Sequence, residues 1–138
     1  MSAMTNYFES GILNQVFRGI SLTLPSTGVF IGLTSDSPSE SAPAANEISG
    51  NGYARVHVPT GNFDAPVADG NGHKVVNNQA IDFPTANGGD WGYASGVIIT
   101  DASSGGNVLM KGDLTTPRNI LDGDTFRFSS NDLDVKFD

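Results

Sequence analysis

Few side chains in this 138-residue sequence could begin chemistry: two histidines, fifteen carboxylates, one tryptophan and no cysteine. His57 lies beside Arg55 and Tyr53 in an alternating stretch, and His73 lies within Asp69-Gly70-Asn71-Gly72-His73-Lys74. A zinc site takes three or four His, Cys or carboxylate ligands. Two distant histidines without cysteine therefore read as a strand residue and a loop residue. Asp122-Gly123-Asp124 and Asp69-Gly70-Asn71 carry oxygen ligands suited to calcium, but neither completes an EF-hand spacing with its closing Glu. Asp beside Gly is ordinary turn chemistry. There is no Gly-x-Ser-x-Gly nucleophile elbow, and no phosphate-binding Gly-Lys loop or dinucleotide fingerprint follows a strand. A carboxylate pair for glycoside cleavage needs a defined separation, which three glutamates and many turn aspartates do not supply. The expectation is no catalytic residue, no metal and no cofactor. Trp91-Gly92, followed by Tyr93, offers an aromatic face for stacking a sugar; the same indole is also the largest core filler, and the core reading is preferred.

Charge narrows the partners. The net charge is −8, and the basic residues Arg18, Arg55, Lys74, Lys111, Arg118, Arg127 and Lys136 are scattered singly. Phosphate backbones and anionic membranes call for clustered Lys and Arg, so neither nucleic acid nor a membrane surface is expected as partner. Charged residues make up 16% of the chain against a typical ~25%, leaving a surface of Ser, Thr, Asn and Gly. No apolar run reaches membrane-spanning length, and the start lacks the pattern of a secretory leader.

These residues must be positioned by a β framework. One helix is expected, over residues 5–19, with Thr5 as N-cap and Gly19 as the stop. Its apolar residues Phe8, Ile12 and Val16, with Leu13 and Phe17, recur at four-residue steps. That stripe could plug the chain's own core or dock on a neighbouring subunit. Gly11 weakens the helix by up to ~1 kcal/mol relative to Ala. After Pro25 the period changes. Strands are expected at 28–34, 53–58, 75–83, 93–100, 108–111, 125–128 and 133–137, with Gly, Pro, Asn or Asp between them. Residues 35–46 read as a long polar surface loop. The last two strands alternate cleanly, and the turn-rich residues 129–132 between them predict a hairpin. The expected fold is mainly β: a single domain over 1–138, with an antiparallel sandwich or jelly-roll-like body over 28–138 and a short N-terminal helix.

One stretch organises the rest. Glu47 leads into a Gly-rich turn, Gly50-Asn51-Gly52, which launches Tyr53-Ala54-Arg55-Val56-His57-Val58. Alternation puts Ala54, Val56 and Val58 on one face and Tyr53, Arg55 and His57 on the other. Glu47 could return across the turn to Arg55, as a fixed carboxylate–guanidinium bond or as an exposed pair worth ~0–1 kcal/mol.

With Phe83-Pro84, Trp91-Gly92 and Gly123-Asp124, the Glu47 and Gly52-Tyr53-Ala54-Arg55 elements resemble a family of small bacteriophage virion proteins. Its members are often labelled tail-fibre proteins, and some are capsid cement (decoration) proteins. The resemblance implies a structural protein without catalytic residues. It implies a homotrimer seated on the outer capsid surface between subunits of the major capsid protein. The alternative is a tail-fibre or baseplate module that contacts other tail proteins or a receptor. Multivalent seating of that kind strengthens a shell without new chemistry. The segments expected to carry the contact are the helix, through Phe8 and Ile12, and the loop, through Ser35, Asp36, Ser39 and Glu40.

Overall fold

Thr5 joins the N-terminal strand to the helix. In the computed structural model, which describes residues 2–137, β1 (Ser2–Met4) runs into Thr5 and then into α1 (Asn6–Arg18). Thr5 is extended, at φ −79° and ψ 162°, so its hydroxyl can accept the Phe8 N–H at 3.3 Å. The same hydroxyl donates to the Val108 carbonyl at 2.5 Å. One buried side chain thus caps the helix and ties it to the sheet. Gly19 closes the helix at φ 67°, a left-handed position that costs glycine little, and its N–H returns to the Asn14 carbonyl. Thr5→Val keeps the shape but removes both bonds. It should cost about 1–2 kcal/mol, read as a lower urea midpoint with an unchanged slope.

The strands are β2 (Gly28–Thr34), β3 (Val56–Pro59), β4 (Val67–Asp69), β5 (Gly72–Val76), β6 (Ile81–Thr85), β7 (Gly92–Thr100), β8 (Val108–Ile120), β9 (Thr125–Phe128) and β10 (Asp134–Phe137). They form a five-stranded sheet in the order β1-β8-β7-β2-β3, a three-stranded sheet β10-β5-β4 and a two-stranded sheet β6-β9, all antiparallel. The inward residues of all three meet in one core. Ile31 and Leu33 of β2 and Ile99 of β7 face Phe83, Phe126 and Phe128 of the two-stranded sheet and Val135 of β10. The chain is therefore mainly β and sandwich-like, with one short N-terminal helix.

Four sequence expectations are corrected. The strand expected at 53–58 begins only at Val56, because Tyr53 and Arg55 belong to the exit of the preceding turn. The strand expected at 75–83 is two strands in different sheets, broken at Asn77, and β5 takes in part of the Gly/Asn-rich stretch before it. β8 runs to Ile120, well past the expected 108–111. It carries Pro117 because β1 pairs only with residues 110–112, leaving the later part as a sheet edge where a missing N–H is harmless. The terminal hairpin does not form: β9 pairs with β6, and β10 pairs with β5.

The reason for that last difference is Asn77, which is fully buried. Its amide nitrogen donates to the carbonyls of Gln79 at 2.8 Å and Ser129 at 2.9 Å, and its amide oxygen accepts the Leu133 N–H at 2.8 Å. Its own carbonyl accepts the Asn131 N–H at 2.8 Å, with Asn131 left-handed at φ 70°. The turn after β9 wraps around this side chain, which directs the last strand into the other sheet.

The helix divides along its length. Phe8 is buried and Ile12 half-buried, and α1 touches the body through β1 and β8. Leu13, Val16 and Phe17 are 57%, 64% and 78% exposed. The chain then folds back along the helix. The Leu22 N–H donates to the Gln15 Oε1 at 2.9 Å, and the Leu22 side chain lies where a Cβ on Gly11 would come within 2.6 Å of it. Gly11, unfavourable for the helix, is the residue that lets this return segment pack.

Candidate functional site

Glu47 sits where β2 ends. It forms a bridge with Thr34, and the next residue, Ile48, donates its N–H to the Leu33 carbonyl at 3.0 Å. Gly50, Asn51 and Gly52 then take φ of 80°, 53° and 83°, three successive left-handed residues that only Gly and Asn adopt readily. This tight reversal brings Tyr53 and Arg55 back over Glu47.

Arg55 and Glu47 meet in a two-pronged bond, Nε to Oε2 at 2.8 Å and Nη2 to Oε1 at 2.7 Å. The remaining guanidinium nitrogen, Nη1, reaches Thr100 Oγ1 at 3.2 Å and the carbonyls of Ala102 at 2.8 Å and Gly105 at 2.9 Å. The Tyr53 hydroxyl donates to Glu47 Oε2 at 2.7 Å and accepts the Leu33 N–H at 3.0 Å. The side chains of Arg55 and Glu47 are only 5% and 17% exposed. The hydrogen bond from Glu47 pushes the Arg55 pKa up, against the opposing effect of burial. Burial, followed by the hydrogen bond with Glu47, pushes the Tyr53 phenol far above its ordinary value. The cluster joins the end of β2, the left-handed turn, the end of β7 and the 101–106 loop. Its charge is used up internally, and a Cβ on Gly32 would come within 2.8 Å of Glu47 Oε2 and 2.9 Å of the Tyr53 hydroxyl, so the strand beneath leaves no space for a ligand.

The other motif residues extend the same structure. The carbonyl of Asn51 accepts the Trp91 indole N–H and the Asn87 N–H, each at 2.9 Å. The Trp91 ring meets Tyr53 edge-on at 5.2 Å, and Tyr53 lies parallel to Phe83 at 6.4 Å. Trp91 is thus core, not a sugar platform, while Tyr93 is exposed. Pro84 lies at an irregularity in the β6–β9 pairing, where no ladder N–H is required of it, and Gly92 starts β7 at φ 81°. Glu47, Gly52, Tyr53, Arg55, Phe83, Trp91 and Gly92 therefore converge on one corner of the fold.

His57 and His73 are in different sheets: the His57 ring on β3 lies 4.9 Å from that of Phe30, tilted at 39°, and His73 on β5 stands opposite Phe137. The two Asp-Gly loops are turns. Gly70 opens a two-residue hairpin between β4 and β5 at φ 59°. Asp124 Oδ2 accepts the Leu121 N–H at 2.9 Å.

The surface residues fare differently. Of the two roles open to the helix stripe, Phe8 takes the core one in this chain: it is buried and its ring meets Phe137 edge-on at 6.0 Å. Ile12 is half-buried, and Ser35, Asp36, Ser39 and Glu40 are exposed. The loop that carries them is tied down. Ser35 N–H reaches the Asn46 carbonyl at 2.9 Å, Ser37 Oγ reaches Asp113 at 2.5 Å, and the Asn6 N–H reaches the Glu40 carbonyl at 3.3 Å. Pro38 is buried against Gly96. Beyond the helix, the large apolar side chains of Ile20 and Leu24 are also exposed. Between the five-stranded and three-stranded sheets lies an open apolar cavity of about 520 Å³, bordered by Leu24, Val29, Phe63, Val75 and Phe137. Neither Asn77 nor this cavity carried a sequence signal, because both are products of strand pairing.

No curated protein matches the chain. The family model described as "Podophage GP4 fiber I protein gp80" matches residues 3–136, so the chain belongs to that family of phage virion structural proteins.

Proposed function

We propose that this chain is a non-enzymatic building block of a virion fibre, working through contacts with copies of itself and with neighbouring tail proteins. The family description supports a fibre. The observation that carries the mechanical role is the exposure of Leu13, Val16, Phe17, Ile20 and Leu24, large apolar side chains of α1 and the segment that follows it. A body of this shape makes a long structure only by repeating, and such exposed apolar side chains are the kind of surface that repetition covers. The buried Glu47–Arg55–Tyr53 cluster supports the same role, since it spends its charges on holding the fold and presents none to a substrate.

A second reading is capsid cement, with a homotrimer bound to the major capsid protein on the outer shell. It is favoured by the N-terminal helix set on a β body, which suits a clip between subunits. Antibody labelling of virions with copy counting by mass spectrometry separates the two. Label confined to the tail at low copy number is expected. Label over the head in hundreds of copies replaces the fibre reading with cement. Label at neither place, with the protein absent from purified virions, removes both. Particles lacking the chain should fail to adsorb under the fibre reading, and should lose DNA on heating or osmotic shock under the cement reading.

A further inference from the structure

We infer that Asn87-Gly88 is a site of spontaneous modification, at which the Gly88 backbone nitrogen displaces ammonia from the Asn87 side chain. The fold leaves this step reactive and holds the chain's two other Asn-Gly steps still. This chemistry belongs to the chain itself and does not depend on the fibre reading.

The reaction balances with water and its hydroxide as the only co-reactants. The Gly88 nitrogen loses its proton to hydroxide and attacks Asn87 Cγ. The N–Cγ bond forms, the Cγ–Nδ2 bond breaks, and Nδ2 leaves as ammonia after taking a proton from water. The product is a cyclic imide. Water then opens the ring at either carbonyl. One opening gives Asp; the other gives an isoaspartyl residue, whose main chain runs through the former side chain. Glycine favours the attack because no Cβ obstructs the approach of its nitrogen.

Three Asn-Gly steps occur: Asn51-Gly52, Asn71-Gly72 and Asn87-Gly88. The residue pair is the same in each, so the structure has to separate them. The attacking nitrogen shares a planar peptide group with the asparagine's own carbonyl, and that whole plane must turn for it to reach Cγ. At Asn51 this carbonyl accepts the Trp91 indole N–H and the Asn87 N–H, each at 2.9 Å. The Asn51 side-chain amide also donates to the Asp90 carbonyl at 3.0 Å, so nucleophile and target are both held. At Asn71 the plane enters β5, where Gly72 stands opposite Asp69 in the ladder of a two-residue hairpin. Turning it breaks the hairpin. The plane between Asn87 and Gly88 is under no such restraint. Its carbonyl, its N–H and the Asn87 side-chain amide have no hydrogen-bond partner among the described residues. Both residues are exposed, and a Cβ on Gly88 would meet nothing within 4 Å.

The product alters the corner that Glu47 organises. The Asn87 N–H is anchored on the Asn51 carbonyl, and the Trp91 N–H on the Ile120 carbonyl at 2.9 Å. An isoaspartyl residue adds a main-chain carbon between these anchors. The added length slackens the loop whose Asp90 carbonyl holds the Asn51 side chain.

The test keeps the purified full chain in mildly alkaline buffer and follows each Asn-Gly step by peptide mapping. An isoaspartate-specific carboxyl methyltransferase reads the isoaspartyl product. Asn87 is expected to convert several-fold faster than Asn51 or Asn71. The first conversion takes the net charge from −8 to −9, which isoelectric focusing resolves. In urea the three steps should convert at comparable rates, because the restraints on Asn51 and Asn71 are gone. Asn87→Ser, at an exposed side chain without bonds, should remove the early acidic form and keep the thermal midpoint of fresh protein. Aged wild type should melt below Asn87→Asp, which adds the charge without lengthening the main chain. Folded protein in which Asn51 or Asn71 converts as fast as Asn87, or a urea sample that keeps the folded ranking, overturns the proposal. Aged wild type that melts with Asn87→Asp overturns the slackened loop.

Discussion

Glu47→Ala is expected to unfold about 10 °C or more below the parent protein. The substitution leaves a guanidinium that is only 5% exposed without its carboxylate, and a Tyr53 hydroxyl without its acceptor. Removing one partner of a buried, hydrogen-bonded ion pair typically costs about 3–5 kcal/mol, because the remaining charge stays desolvated. Arg55→Lys should be nearly as harmful, since an ammonium cannot hold both Glu47 oxygens and the carbonyls of Ala102 and Gly105 together. Glu47→Leu combined with Arg55→Met should recover much of the loss, as no unpaired charge remains. Thermal melts of the four proteins decide the matter. A loss under about 1 kcal/mol for Glu47→Ala would mean that the pair behaves as a surface bridge. The cluster also sets an alkaline limit. The folded-state pKa of Tyr53 is raised, so the unfolded chain gives up this proton first as pH climbs past about 10. The contribution of Tyr53 is fully present below that pH and declines above it, and Tyr53→Phe should flatten this part of the stability profile.

Asn77→Leu should cost about 3 kcal/mol or more, with the damage centred on β10. Leucine has a similar volume but leaves the carbonyls of Gln79 and Ser129 and the N–H of Leu133 without their partner in a buried site. Asn77→Asp should be at least as harmful near neutral pH, because a buried carboxylate would set an acceptor and an unpaired charge against the carbonyls of Gln79 and Ser129. Hydrogen exchange should show β10 and residues 129–133 losing protection before the β2–β7 ladder does. Uniform loss across both sheets, or none, would show that Asn77 does not direct the last strand.

These two sites differ in how far the sequence disclosed them. The Glu47 motif was visible as a pattern: an acid, a Gly-Asn-Gly reversal, then Tyr and Arg at alternate positions. That Glu47 could return across the turn to Arg55 was readable from the side on which Arg55 falls in the alternation. The burial of the pair was not, because alternation separates two faces of a strand without saying which face another layer will cover. Asn77 was invisible, since an Asn among polar neighbours looks like any loop residue until strands from residues 72–76 and 134–137 close around it.

The helix shows the same division. Thr5 and Gly19 marked its ends because capping is local chemistry, settled within four residues. Its apolar period was equally legible, but the period alone could not say that Phe8 would enter the core while Phe17 stayed in solvent. That depends on where β8 runs beneath the helix. Likewise, the alternation of Phe126 and Phe128 with Thr125 and Arg127 foretold a half-buried strand. The hairpin expected from it failed because strand partners are chosen by packing across the whole core. In this protein the sequence by itself determined the caps, turns, periods and β class, which arise from backbone sterics and short-range hydrogen bonds. Only the tertiary structure decided strand partners, the burial of Arg55 and the exposure of the helix face, because each depends on surfaces brought together from distant parts of the chain.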